Sequence, residues 1–214
     1  MDRMESVKVS YRGAFRGGVV LAGGKSSRMG QDKALLPSHG KSLLEQVIET
    51  VRPLVSDLVV VTDVAERYVL SEVRSVADLF PNTGPVGGIL TGLMALGEGS
   101  HLVVACDMPC LQSSVLESLW ERATPEWDAV IPERQGQLEP LCAVYRTTAI
   151  PKLQAFLETG QRAAHKAVAT LNACIVREAE LRALDPALAC FINLNTPQDL
   201  ERFLISSTQR KKLP

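Results

Sequence analysis

With 214 residues, 46% of them apolar, the chain is long enough to bury the core of a single domain. Its 23 Lys and Arg against 24 Asp and Glu give a formal net charge of −1, so nothing in the charge balance argues for wrapping duplex nucleic acid. No apolar run approaches the roughly 20 residues of a bilayer span, and five cysteines without a C-x-x-C pair suit a reducing, cytoplasmic setting and give no zinc-site spacing. Most of those cysteines lie in apolar runs and read as core residues. Residues 1–16 carry charges rather than an apolar signal core and read as a disordered extension, with an organelle-targeting arm as the alternative. Residues 17–205 read as one domain, and 206–214 as a frayed basic tail.

Apolar runs alternate with helical patterns, so the expected fold is α/β: a doubly wound, mostly parallel sheet flanked by helices. Val19–Ala22 is the first predicted strand. Lys41–Val51 places Leu43, Leu44, Val47, Ile48 and Val51 at helical spacing, with Pro53 just beyond. Leu58–Thr62 is a β-branched run of the kind covered on both faces. A short helix over 65–70 and a short strand over 73–77 follow. The turn-rich stretch from Asp78 holds Gly84, Gly87 and Gly88, which let a backbone pass close to a ligand, and leads into a helix at Ile89–Leu96.

His101–Ala105 is the next predicted strand and ends in Cys106-Asp107-Met108-Pro109. Ser113–Arg122 reads as a helix capped by Ser113 or Ser114. Two strands are expected at Asp128–Pro132 and Leu141–Tyr145, and two helices at Thr147–Leu157 and Arg162–Leu171. A late strand is placed at Phe191–Leu194, and a last helix at Gln198–Ile205 with Asn195 or Thr196 as its cap. Ligands of such sheets sit beyond the carboxyl ends of the strands, so Gly23, Thr62 and Asp107 are expected to face one crevice.

The chemistry concentrates in residues 17–37. Val19–Leu21 finishes a strand, Gly23 and Gly24 break it, and Ser26, Ser27, Arg28, Gly30 and Lys33 follow in one loop. Exposed N–H groups with fixed cations form a phosphate cradle. The segment matches neither a Walker loop nor G-x-G-x-x-G. Two glycines alone are better read as a strand-end turn; the full run favours an anion site. Arg28 and Lys33 are the candidate phosphate clamps, and Asp32 orients Lys33 or caps a turn. Asp107, fixed at a strand end, suits Mg²⁺, which keeps several waters and is shared with substrate phosphates; a turn-capping aspartate is the structural alternative.

The run L-A-G-G-x-S-x-R-M-G-x-D-K from Leu21 to Lys33 resembles the MobA-type nucleotidyltransferases, above all the molybdenum cofactor guanylyltransferases. The resemblance spans roughly residues 17–205 and is patchy between Trp120 and Leu188. It implies transfer of GMP from GTP to molybdenum-bound molybdopterin with Mg²⁺ as cofactor, and transient contact with molybdenum-insertion or molybdoenzyme partners. It also implies site residues. Leu21, Ala22, Gly23 and Gly24 would lie along the nucleotide, Lys33 would meet the phosphates, and Asp78 and Asp107 would contact GTP, Asp107 through the metal. Gly84 opens a G-P-x-x-G element beside the base. Thr62 stands where these enzymes often carry Asn. Glu139, Pro140, Asn193 and Asn195 resemble elements on the molybdopterin side, although Asn-Thr-Pro is also ordinary helix-entry chemistry. The rivals are a cytidylyltransferase for the same pterin, a sugar- or polyol-phosphate nucleotidyltransferase, and a nucleotide-binding regulatory module without turnover.

Overall fold

Strict alternation along the central strands divides their side chains between two cores. Val20, Val60, Leu102 and Val104 face one side, and Val19, Val59, Val61 and Val103 the other. Both faces are therefore apolar, and each needs a layer of helices. A computed structural model supplies those layers; it describes residues 15–23, 32–38, 40–65, 67, 68, 70, 73–196 and 198–203.

In chain order the elements are β1 (Arg16–Leu21), the hairpin of β2 (Pro37–Ser38) and β3 (Lys41–Ser42), α1 (Leu43–Val51), β4 (Asp57–Thr62), β5 (Arg74–Ala77), α2 (Pro85–Leu96), β6 (Ser100–Ala105), α3 (Ser113–Glu121), β7 (Ala129–Arg134), β8 (Gln137–Leu138), β9 (Cys142–Arg146), α4 (Ile150–Glu158), α5 (Ala164–Val168), β10 (Ala173–Val176) and α6 (Glu178–Leu184). The main sheet runs β10-β7-β9-β6-β1-β4-β5, with β8 paired to β7. β4, β5 and β6 run parallel to β1 along the ladder, whereas β9 is antiparallel to both β6 and β7. α1, α3 and α6 cover one face; α2, α4 and α5 cover the other.

Two local devices set the site. α2 packs close on β1 because it carries glycine where it crosses: a Cβ at Gly92 would lie 2.4 Å from Val19 Cγ1, and one at Gly88 3.1 Å from Leu21 Cδ2. α1 is started by a capping box in which the Ser42 hydroxyl accepts from Glu45 N and the Glu45 carboxylate accepts from Ser42 N. Such a cap contributes about 1 kcal/mol.

Several boundaries differ from expectation. β1 begins at Arg16, one residue before the expected domain start. Lys41 and Ser42 belong to a hairpin strand, so α1 starts at Leu43. None of the described residues in 65–70 is helical: Ala65 is in a turn, Tyr68 is buried at a bend, and Arg67 is drawn to Asp32 and Asp63. α2 starts four residues early because Pro85 occupies its first turn, where a missing N–H costs nothing. Gln112, not Ser113 or Ser114, precedes α3, and no side chain caps it. The strand expected at Phe191–Leu194 is a 3-10 turn at Ala189–Phe191 followed by extended chain. β8, β10 and α6 were not foreseen. Residues 198–203 are helical. Cys142 and Cys190 are buried, while Cys106, Cys110 and Cys174 are half-buried. Among the described residues no helix is long and apolar enough to cross a membrane.

Candidate active site

The carboxyl ends of the parallel strands meet at one edge of the sheet. Backbone bonds fix them there: Ala22 N donates to Val61 O at 2.9 Å, Asp78 N to Thr62 O at 2.7 Å, and Cys106 N to Leu21 O at 3.0 Å. Above this edge opens a cavity of about 780 Å³. Of the residues singled out in the sequence, Leu21, Ala22, Gly23, Lys33, Thr62, Asp78, Gly84, Asp107 and Asn195 line it. Gly24 and Arg28 lie outside the described residues.

Lys33 sits at the centre. Its Nζ is 3.2 Å from Asp107 Oδ2 and donates to Asn195 Oδ1 at 3.0 Å. Three segments far apart in sequence thus converge on one ammonium group. Asp107 is steadied from below by Leu194 N, which donates to its backbone carbonyl at 2.9 Å. Asn195 also keeps its helix-entry surroundings. Asp199 Oδ2 accepts from Asn195 N and Thr196 N, and Thr196 Oγ1 accepts from Asp199 N.

Asp32 supports Lys33. Its Oδ1 accepts from Ala34 N at 3.1 Å, capping the short 3-10 turn Lys33–Leu35. Its Oδ2 lies 2.9 Å from both the Tyr68 hydroxyl and Arg67 Nη2. Tyr68 Oη also lies 3.2 Å from Ala22 O, so one buried phenol ties the strand end to the cationic turn. Burial, followed by the Asp32 carboxylate, pushes the Tyr68 pKa far up, and the hydroxyl stays a donor. Arg67 also pairs with Asp63 and holds that carboxylate below its usual range. Cys106 lines the cavity, but burial, with Asp107 adding to it, pushes its thiol up to about 12. That shift disfavours the thiolate, the form a nucleophile needs.

Other expected contacts fall differently. The Thr62 side chain is fully buried and its hydroxyl donates to Val64 O; the exposed polar group at that strand end is Asp63. Gly84 has φ +70°, which disfavours any Cβ, and a Cβ there would lie 3.2 Å from Arg162 O. Glu139, Pro140 and Asn193 do not line the cavity. The Glu139 carboxylate accepts from Arg134 Nε at 2.8 Å, and Pro140 O accepts from the Tyr145 hydroxyl at 2.8 Å. From that stretch Leu141 reaches the cavity, joined by Arg162 and Asn82, which the sequence did not single out. Arg162 opens the second of two expected helices, just after Gly160, a position with no phosphate-loop signature.

Among the described residues no group of three or more His, Cys, Asp or Glu could hold a metal. Mg²⁺ does not require one, because one or two carboxylates with substrate phosphates suffice. Asp107 fits that role: it lines the cavity, and its Oδ1 has no hydrogen-bond partner among the described residues.

Residues 18–180 match the family model described as the MobA-like NTP transferase domain. The molybdenum cofactor guanylyltransferase of Desulfosudis oleivorans is 33% identical over 86% of this chain and 92% of its own. A probable molybdenum cofactor guanylyltransferase of Chloroflexus aggregans is 36% identical over 86% of this chain and 91% of its own. The crystal structure of molybdopterin-guanine dinucleotide biosynthesis protein A from Archaeoglobus fulgidus superposes with a TM-score of 0.78 at 32% identity, covering 90% of this chain and 99% of that one.

Proposed function

The chain belongs to the MobA-like NTP transferase family and is an enzyme that transfers a nucleotide, and from that premise we propose that it transfers GMP from GTP to molybdopterin carrying molybdenum, releasing pyrophosphate. The observation that carries this reading is the junction of Lys33, Asp107 and Asn195 at the mouth of the Leu21–Gly23 strand end. The cationic turn, a carboxylate and an amide meet beside a backbone that a nucleoside can lie along. The relatives named for this chemistry match most of the chain.

Lys33 places positive charge where negative charge grows on the leaving pyrophosphate, and that charge is fixed before the reaction by Asp32 and the 3-10 turn. Asp107 would hold Mg²⁺, which neutralises charge on the triphosphate when bound. Gly23 keeps the strand end free of a side chain where the nucleoside lies. A phosphate of the acceptor is already a competent nucleophile for the α-phosphorus. The protein therefore needs orientation and charge neutralisation rather than a strong general base. Asn195 and Arg162 are further polar residues that line the cavity.

The test measures pyrophosphate release with GTP and with CTP, each with and without molybdopterin loaded with molybdate. Acceptor-dependent release that favours GTP is expected. Release that favours CTP would overturn the choice of nucleotide, and release independent of the pterin would overturn the acceptor.

A further inference from the structure

Thr91 is 1% exposed and lies in the middle of α2, whose other buried residues are apolar or glycine. A buried hydroxyl is unfavourable unless it is hydrogen-bonded, and valine has the same shape without that cost. Thr91 uses its hydroxyl in both directions, and both bonds go to the end of β5. Its Oγ1 donates to Asp78 Oδ1 at 2.9 Å and accepts from Leu79 N at 2.9 Å. Asp78 Oδ1 accepts a second bond, from Phe80 N at 2.9 Å. One carboxylate oxygen is thus filled twice. Asp78 Oδ2 has no hydrogen-bond partner among the described residues, and Asp78 lines the cavity.

We propose that Thr91 is a positioning residue for nucleotide binding: from the buried face of α2 it fixes the Asp78 carboxylate so that Oδ2 is presented to a hydrogen-bond donor of the nucleoside. This rests on the nucleotide site described above and extends it to a residue that touches no substrate. Without the Thr91 hydroxyl, the Phe80 amide alone holds Oδ1, and the carboxylate is free to rotate about χ2, a broad torsion in aspartate. Ligand binding must then order it. The donor is either a base N–H or a ribose O–H, both of which a carboxylate accepts.

Three substitutions separate the hydroxyl from the packing. Thr91→Val and Thr91→Ala both delete the hydroxyl, whereas Thr91→Ala and Thr91→Ser both delete the methyl. Thr91→Val and Thr91→Ala should raise KM for the nucleotide by roughly ten- to a hundred-and-fiftyfold, the range for one hydrogen bond to a charged group, with kcat little changed. Thr91→Ser should stay near the wild type. In an Asp78→Ala background, Thr91→Val should add nothing. If Thr91→Val does not fold, as judged by its melting curve, the Ala and Ser pair still decides. Wild-type KM in both hydroxyl-deleted variants would overturn the proposal. So would a Thr91→Ser defect as large as that of Thr91→Ala, or a Thr91→Val effect of full size in the Asp78→Ala background.

The assay uses whichever nucleotide the wild type prefers, so a preference for CTP would refute the guanylyl reading without affecting the Thr91 comparison. If GTP is the substrate, three analogues locate the donor. Inosine triphosphate lacks the 2-amino group, N1-methyl-GTP lacks the N1–H, and 2′,3′-dideoxy-GTP lacks both ribose hydroxyls. The Thr91→Val effect should shrink on at least one of them, and an undiminished effect on all three contradicts a nucleoside contact.

Discussion

The two halves of the sheet differ in how they deliver side chains to the cavity. From β6 through β1 and β4 to β5 all strands run parallel, so Ala22, Thr62, Asp78 and Asp107 emerge together along one edge. On the other side of β6, β9 runs the opposite way and presents its beginning at that edge. Leu141, just before Cys142, reaches the cavity, while Tyr145 pairs with His101 at the far end. The charged groups differ as well. Lys33 pairs directly with Asp107 in the cavity lining, whereas Arg134 at the end of β7 and Glu139 just after β8 pair with each other and close that hairpin on itself. Strand direction, more than composition, decides which residues become a site.

The largest effects are expected where the parallel half carries charge. Asp107→Asn keeps the shape of the side chain and removes the charge offered to Mg²⁺. Activity should fall by on the order of a thousandfold and recover in part at high Mg²⁺. Lys33→Ala should lower turnover by roughly ten- to a thousandfold with an unchanged circular dichroism spectrum. Because the two groups are in contact, the double variant should lose less than the product of the single losses. Multiplicative losses, or an Asp107→Asn variant with wild-type Mg²⁺ dependence, would separate them into independent roles.

A smaller change tests the nucleoside wall. Among the described residues, a Cβ on Gly23 would come no closer than 3.6 Å, to Asp63 N and Thr62 C, which is ordinary contact. Gly23→Ala should therefore fold normally, and any crowding must fall on the nucleotide. A tight contact resists an extra carbon at about 1–3 kcal/mol. The preference for GTP over CTP should shrink by roughly five- to two-hundredfold, chiefly through weaker use of GTP. An unchanged kcat/KM ratio would remove Gly23 as a cause of selectivity.

This asymmetry between the halves also explains what was legible in the sequence. β1, β4, β5 and β6 show as short apolar runs that end in Gly23, Thr62, Asp78 and Asp107, and in a parallel sheet a strand end is already a place in the site. Helix periods gave α1 and α3 within a residue or two. Glu139, Pro140 and Asn193 were singled out by local likeness alone. Glu139 and Pro140 bond to Arg134 and Tyr145, each five positions away, contacts that the local likeness does not display. Tyr68 and Arg67 were hidden in the expected helix over 65–70 because their role lies in a contact with Asp32, more than thirty positions away. Thr91 has no signature either, since a threonine in an apolar helix reads as packing until its partners are seen.

The foot of β6 offers a contrast with its site-bearing end. His101 is fully buried; its Nε2–H donates to Gly97 O at 2.8 Å, and its Nδ1 has no partner among the described residues. Burial lowers its pKa from 6.5, with the Gly97 bond opposing. A histidine with a lowered folded pKa is protonated first in the unfolded chain. Its contribution to stability is therefore complete above about pH 6.5 and is lost as the pH falls toward the folded value. Melting temperatures from pH 7.5 down to 5 should drop across that window, before the carboxylates titrate. A flat profile would show that the ring accepts its proton without cost.

The smallest effect is expected in the antiparallel half. Glu139→Gln breaks the pair with Arg134 and should cost less than about 1 kcal/mol of stability. It should leave turnover near the wild type, and a large loss of activity would put Glu139 back among the acceptor contacts.

The central claim is that the edge formed by the parallel strands is the nucleotide site. It is tested most directly by a crystal structure with Mg²⁺ and a GTP analogue whose α,β-bridge cannot be cleaved. The expected density places the triphosphate between Lys33 and Asp107 and the nucleoside along Leu21–Gly23, facing Asp78. A nucleotide bound away from this edge, or one that leaves the Lys33–Asp107 pair untouched, would contradict it.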